Sequence, residues 1–161
     1  MKYDRRNWEK PPFRIFLDAD GCIVDFDTPR WTTYKDVKST DDLPLEFWAN
    51  LQWNPGGREM YDELCKLAPV TILTSPSNHG ISAYGKIQWI NRELKTRDYL
   101  IGGCKWACAA PNHILVDNSI EKITRFISGG GIGVLHRTND PNVWLTINEV
   151  KRIIQDGYVN T

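Results

Sequence analysis

Phe13-Arg14-Ile15-Phe16-Leu17 runs directly into Asp18-Ala19-Asp20-Gly21-Cys22-Ile23-Val24-Asp25. An apolar run that ends in carboxylates and then a glycine reads as a buried strand feeding a loop that carries chemistry. Side chains at i and i+2 of a strand point to the same side, so Asp18 and Asp20 are expected to face one spot. Crowded carboxylates repel, and such a pair keeps a proton or recruits a cation. Asp and Gly are also common turn residues, and a plain turn remains the alternative at this point.

Chemistry-capable residues recur where other apolar runs stop. Val70-Thr71-Ile72-Leu73-Thr74 reads as a second strand, with Ser75-Pro76-Ser77-Asn78-His79-Gly80 as its loop. His113-Ile114-Leu115-Val116 reads as a strand ending at Asp117, followed by Asn118 and Ser119. Lys105 lies in a loop after the short strand Tyr99-Leu100-Ile101. Ligands of open α/β sheets sit beyond the carboxyl ends of the strands. Carboxylates, hydroxyls, an amide and an ammonium gathered there suit a phosphoryl group with a hard metal. Mg²⁺ takes oxygen ligands and usually keeps waters and a substrate phosphate. One Asp can attack phosphorus, a second can pass the proton, and Lys and Thr can offset charge on phosphoryl oxygens. Each part also has a plainer reading. Thr74 can be an ordinary strand residue, Asp117-Asn118-Ser119 can cap the next helix, and Lys105 can be a solvated lysine. Three strand ends in order, plus the lysine, match one mechanism.

The elements that must hold these residues alternate between strand and helix. Gly57–Leu67 has Met60, Leu64 and Leu67 at helical spacing, and Pro69 ends it. Tyr84–Leu94 carries Ile87, Ile90 and Leu94 on one helix face, and Ile120, Ile123 and Ile127 mark another helix. Gly129–Gly131 break that helix, and Ile132–Leu135 reads as the last buried strand. Gly129-Gly130-Gly131-Ile132-Gly133 precedes a strand rather than following one, so it is a turn and not a dinucleotide fingerprint. Val143–Ile154 is expected as a terminal helix, with Leu145 or Ile147, then Val150 and Ile154, facing inward. Residues 1–12 read as an arm and 25–56 as irregular, apart from a short helix at Leu45–Leu51. Alternating short apolar strands and helices predict α/β architecture: a Rossmann-like parallel sheet covered on both faces.

A chain of 161 residues is expected to form one domain with a real core. Twenty basic and twenty acidic residues cancel, so no global field draws it to nucleic acid or membrane. No apolar run approaches a membrane span, and Met1–Arg6 lacks the apolar middle of a signal peptide, so the expected location is cytoplasmic. Four scattered cysteines do not make a disulfide scaffold, and free buried thiols are expected. Cys104-x-x-x-Cys108 with His113 lacks finger spacing and a fourth zinc ligand.

The chain resembles the haloacid dehalogenase superfamily of phosphohydrolases. Asp18-Ala19-Asp20-Gly21-Cys22-Ile23-Val24 looks like its first motif, Ile72-Leu73-Thr74 the second, Lys105 the third and Val116-Asp117-Asn118-Ser119 the fourth. Within the superfamily it looks most like the 5′(3′)-deoxyribonucleotidases. Asp25-Phe26, Thr74-Ser75-Pro76, Pro55-Gly56 and Lys86-Ile87-Gln88-Trp89-Ile90 are similar to segments of that group. The resemblance implies Asp18 as nucleophile and Asp20 as general acid and base. Thr74, Ser75 and Lys105 would hold the phosphate, and Phe26, Lys86 and Trp48 would line the substrate pocket. Mg²⁺ would be the cofactor, with Asp18, Asp20, Asn118 and Asp117 as the residues around it. The nucleotidases carry two aspartates in the fourth motif, whereas Asp117-Asn118 here is similar to the RNA polymerase tail phosphatases. That implies Asn118 as direct ligand, with Asp117 orienting Lys105 or a metal-bound water; the reverse assignment stays open. Segment 25–68 would be a small helical cap insertion with its return helix, and Phe47, Trp48 and Trp53 would be its core or would close over a base.

The implied activity is a Mg²⁺-dependent phosphomonoesterase acting on a nucleoside monophosphate through an aspartyl phosphate. The alternatives are a phosphatase of a nucleic-acid 3′-end or a sugar phosphate, and a non-catalytic binding domain on the same fold. Arg5, Arg6, Lys10 and Arg14 are the candidate basic patch for a nucleic-acid partner, which the zero net charge does not favour.

Overall fold

The computed structural model describes residues 13–77 and 79–159. The expected arm over 1–12 and the loop residue Asn78 lie outside them, as do Arg5, Arg6 and Lys10. A five-stranded parallel sheet forms the centre: β1 (Arg14–Leu17), β4 (Val70–Thr74), β5 (Tyr99–Ile101), β6 (His113–Asp117) and β7 (Ile132–Leu135). Its order is β5-β4-β1-β6-β7. β1 is central, with Leu17 opposite Ile72 on one side and Val116 on the other. The chain builds outward from β1 through β4 to β5, then restarts on the other side with β6. The β1–β6 boundary is therefore the topological switch point, where such sheets open a crevice at the strands' carboxyl ends.

The two-residue period of β1 divides the core between two faces. Ile15 and Leu17 join Ile72, Ile114 and Val116 under α3 (Gly57–Leu67) and α6 (Trp144–Val159), where Met60, Leu64, Val150 and Ile154 are buried. Phe16 points the other way, to Leu73, Leu115, Ile123 and Phe126 under α5 (Ile120–Ser128). Each fully buried aliphatic side chain contributes roughly 1.5–3 kcal/mol by leaving water. Among the described residues no helix is long and apolar enough to cross a membrane.

Several helix faces differ from expectation. On α5, Ile120 and Ile127 are 65% and 51% exposed, whereas Ile123 and Phe126 are buried. The Phe126 ring reaches Phe16, 6.3 Å between centroids, and rotates the isoleucines outward. On α6, Ile147 faces inward and Leu145 faces solvent. α4 (Gly80–Glu93) buries Ser82, Gly85, Lys86, Trp89 and Ile90, leaving Ile87 and Leu94 half-buried. Its inward face is set by α2 (Leu45–Ala49): a side chain at Gly85 would run into Trp48, and the Trp89 indole donates to the Leu51 carbonyl at 2.8 Å. β7 is an edge strand, so only Val134 is buried in it and Leu135 is exposed. The thiols also differ from expectation: Cys22 is buried, Cys108 is half-buried, and Cys65 and Cys104 are exposed.

Segment 25–56 is more ordered than its composition suggests. β2 (Val24–Asp25) pairs antiparallel with β3 (Gln52–Trp53), so the segment leaves and returns through one narrow ribbon. Between them lie α1 (Asp27–Trp31), a 3-10 turn at Thr40–Asp42, and α2. Phe26, Tyr34, Phe47 and Trp48 form an aromatic cluster with ring centroids 5.0–5.7 Å apart. Trp53 packs on Trp89 instead, and its indole donates to Glu93 at 3.0 Å.

His136, just after β7, is buried. Its Nδ1 is 2.8 Å from the Thr146 hydroxyl, and its Nε2 has no hydrogen-bond partner among the described residues. Burial lowers its pKa from the ordinary histidine value, with Asp140 opposing. The unfolded chain therefore binds the proton more readily, so stability falls as pH drops below the unfolded value of about 6.5. The urea midpoint is expected to fall between about pH 7.5 and about pH 5.5, and His136→Gln is expected to shrink that fall. An equal fall in the variant would assign the pH dependence to other groups.

Candidate functional site

β1, β4 and β6 end side by side, and their following residues line one cavity of about 490 Å³. Asp18 and Asp20 both face it, as do Thr74 and Ser75 from β4 and Asn118 from β6. Phe26 and Trp48 contribute an aromatic wall from the segment between β2 and β3.

The loop after β1 is tightly wound. The Ala19 carbonyl accepts from the N–H groups of Cys22, Ile23 and Val24, and Gly21 N–H donates to Val24 at 2.8 Å. Gly21 has φ +78°, and a side chain there would run into Asn118. Glycine thus provides both the left-handed turn and the close approach of the β6 loop. Asn54, buried after β3, straps the loop from outside: its side-chain amide donates to the Cys22 and Val24 carbonyls, and its own N–H donates to Ile23. The Cys22 thiol in this loop has its pKa pushed well up, by burial first and then by Asp18 and Asp117.

Lys105 is not in an open loop but begins a 3-10 turn, Lys105–Cys108, and is 1% exposed. The turn is pinned to α5 by the Arg125 guanidinium lying 3.3 Å over the Trp106 ring. The Lys105 ammonium donates to Asp18 Oδ1 and to Asp117 Oδ2, each at 2.6 Å. Burial pulls its pKa down, but Asp18 and Asp117 outweigh burial and raise it above the ordinary lysine value. Burial, then Asp18, raises the Asp117 carboxyl, against the pull of Lys105. Two buried carboxylates therefore share one ammonium. Asp117 Oδ1 is also engaged, accepting from Ser119 N–H at 2.8 Å.

Lys86 reaches the site from α4 and is also buried. It pairs with Asp20 Oδ2, donates to Thr74 Oγ1 at 2.9 Å and lies 5.1 Å from the Trp48 ring centre. Thr74 accepts this bond, so Lys86 does not use its hydroxyl proton; the residue borders the cavity and is wholly buried. The Ser75 hydroxyl has a long bond, 3.4 Å, to the Gly102 carbonyl. Trp48 is almost wholly buried, so it is core of its segment as well as cavity wall.

Some lining residues had no sequence signal. Thr138 accepts from the Asn118 amide at 3.0 Å, and Asn139 donates its backbone N–H to Gly21 and its side-chain amide to Asp27 Oδ2. The β7–α6 loop thus ties together the β1 loop, the β6 loop and α1. Asp27, Thr40, Ser77 and Lys122 also line the cavity. Arg14, the one described member of the expected basic patch, begins β1 at the opposite end of the sheet and donates to Thr71 at 2.9 Å. Trp53 does not line the cavity, and His113 Nδ1 is 2.6 Å from the Cys108 carbonyl oxygen.

The chain matches no protein-family model, and no curated protein matches it. Its own site therefore carries the functional argument. That site combines a buried carboxylate–lysine–carboxylate row, a second lysine–carboxylate pair, a hydroxyl whose proton Lys86 does not use and an aromatic wall. The donor set is all oxygen, which fits a hard divalent cation rather than zinc or copper. Among the described residues no three His, Cys, Asp or Glu side chains group to hold a metal. A third side-chain oxygen would then be the Asn118 amide carbonyl, since Asn118 commits its nitrogen to Thr138.

Proposed function

We propose that the protein is a Mg²⁺-dependent phosphomonoesterase of the haloacid dehalogenase superfamily, a 5′(3′)-deoxyribonucleotidase acting on nucleoside monophosphates. The observation that carries this reading is the buried Asp18–Lys105–Asp117 row at the switch point, with Asp20 beside it on the same cavity. Lys105 occupies one oxygen of Asp18 and so orients the carboxylate, leaving Oδ2 to attack. Asp18 Oδ2 forms a bond to phosphorus as the ester oxygen departs with a proton from Asp20. Asp20, now a carboxylate, takes a proton from water, whose oxygen attacks the aspartyl phosphate and releases phosphate and Asp18. Lys86 holds Asp20 in place for both transfers, and the Thr74 hydroxyl donates to a phosphoryl oxygen.

Asp18, Asp20 and Asn118 would hold Mg²⁺. When bound, it supplies charge compensation for the phosphoryl oxygens. Asp117 has both oxygens engaged, which supports it as the group that orients Lys105 and Asn118 as the ligand. Segment 25–56 acts as a small cap, with Phe26 and Trp48 offering an aromatic surface to a nucleobase or sugar. The cap is small, so the mouth admits substrates of several sizes, and a substrate panel is the test. Deoxynucleoside monophosphates, sugar phosphates and 3′-phosphorylated oligonucleotides are offered with Mg²⁺ and with excess chelator. Phosphate release is expected from the mononucleotides with Mg²⁺ only. No release from any member would sink the reading.

A further inference from the structure

The lysines of the site are not equivalent. Lys105 lies between Asp18 and Asp117, and Lys86 is paired with Asp20, so each ammonium is already matched by carboxylate. Lys122 lines the same cavity and, among the described residues, has no carboxylate partner. Its own helix offers none, because the residues one turn away are Asn118, Ser119, Arg125 and Phe126. Arg125, the neighbouring cation on α5, is by contrast matched by Glu121 and stacked on Trp106.

The charges of the site leave a task for such a cation. Asp18, Asp20 and Asp117 face only two lysines, so Lys86 and Lys105 bring no surplus positive charge to an incoming phosphoryl group, even with Asp20 in its acid form. Asp27 adds a further carboxylate to the wall, with one oxygen engaged by Asn139. A bound Mg²⁺ would offset two charges, and a phosphomonoester dianion would restore them. The first turn of α5 opens on the cavity through Lys122, with Asn118 just before the helix cap also lining it, and the helix dipole adds positive potential there.

We propose that Lys122 is a further substrate-binding residue, whose ammonium takes an oxygen of the bound phosphoryl group. The assignment rests on the phosphatase reading for its substrate but not for its test, because the probe is inorganic phosphate. Its affinity is measured calorimetrically at low salt with Mg²⁺ for the wild type, Lys122→Gln and Lys122→Arg. Melting temperature is the check that the variants fold. Loss of one charge-assisted hydrogen bond to phosphate is expected to raise the Kd of Lys122→Gln about tenfold. Lys122→Arg, which keeps the charge, is expected to stay within about threefold of wild type. In turnover of an aryl phosphate, KM of Lys122→Gln should rise with the phosphate Kd while kcat changes less than about twofold. An unchanged phosphate Kd in Lys122→Gln overturns the assignment, even where the wild type is an active phosphatase. A wild type that turns over no phosphomonoester, yet loses phosphate affinity in Lys122→Gln, overturns the phosphatase reading and keeps the lysine. Failure of the wild type to bind phosphate at all overturns both.

Discussion

Asp18→Asn is expected to bring hydrolysis of an aryl phosphate down to background, a loss on the order of 10⁴-fold or more. An amide oxygen is a far weaker nucleophile than a carboxylate, and in the proposed mechanism no other group is placed to form the first bond to phosphorus. Asp20 is engaged by Lys86, and Asp117 is fully buried with both oxygens occupied. Asparagine keeps the side chain's shape, and Lys105 retains Asp117, so the fold should survive. Asp20→Asn is expected to be nearly as damaging, because both steps then lose their proton carrier, typically worth about 10²–10⁴-fold. The two variants also differ in kind. A good leaving group needs little protonation, so Asp20→Asn should harm the first step less with an aryl than with an alkyl phosphate, whereas Asp18→Asn should harm both alike. Steady-state rates on the two ester classes read this difference, and retained turnover in Asp18→Asn would end the aspartyl-phosphate mechanism.

The pair on which this prediction turns was legible because its signal is local. A buried strand running into Asp18-x-Asp20-Gly21 needs only alternation and turn chemistry to be seen, and both carboxylates do face one cavity. The parallel sheet was legible for the same reason: short apolar runs closed by glycine, proline and polar residues. Three of its strands, Val70–Thr74, Tyr99–Ile101 and Ile132–Leu135, have the expected bounds. What was not legible depends on contacts between distant segments. The ribbon that pairs Val24 with Trp53 has only two residues per strand, too short to carry a period. Ile127 of α5 looked like core because it follows Ile120 and Ile123 at helical spacing, yet Phe126 takes that place by packing on Phe16, on the sheet face that α5 covers. Asn139 and Thr138 sit in an ordinary polar loop, and only folding brings them to Asp27 and Asn118. Lys86 shows an intermediate case. Its helix was found by pattern, but its burial against Asp20 and Thr74 follows from the close packing of α4 on α2 that Gly85 permits.

Lys105→Met is expected to produce the largest loss of stability of any substitution at the site, about 3–5 kcal/mol by urea denaturation. The ammonium is the counter-charge of both Asp18 and Asp117, and all three side chains are nearly or wholly buried. A methionine of similar length fills the space but leaves two carboxylates facing each other without compensation. They can relieve the repulsion by taking up a proton, so their pKa values rise in the folded variant. A carboxyl whose folded pKa exceeds its unfolded value of about 4 gains stability as pH falls through the folded value. The deficit of Lys105→Met relative to wild type should therefore shrink toward mildly acidic pH. The wild-type lysine has a dependence of the same sign, but in a far more alkaline window. Its pKa is raised in the fold, so its contribution is complete below about pH 10 and is lost only as pH climbs through the raised value. Coupling follows from the same geometry. Asp117→Asn in the Lys105→Met background removes one of the two stranded charges and should recover part of the loss, whereas alone it should destabilise. A double-mutant cycle at one pH measures this as a coupling energy of the order of 0.5–3 kcal/mol. Simple additivity would show that the row of three groups is not the electrostatic unit its 2.6 Å contacts describe.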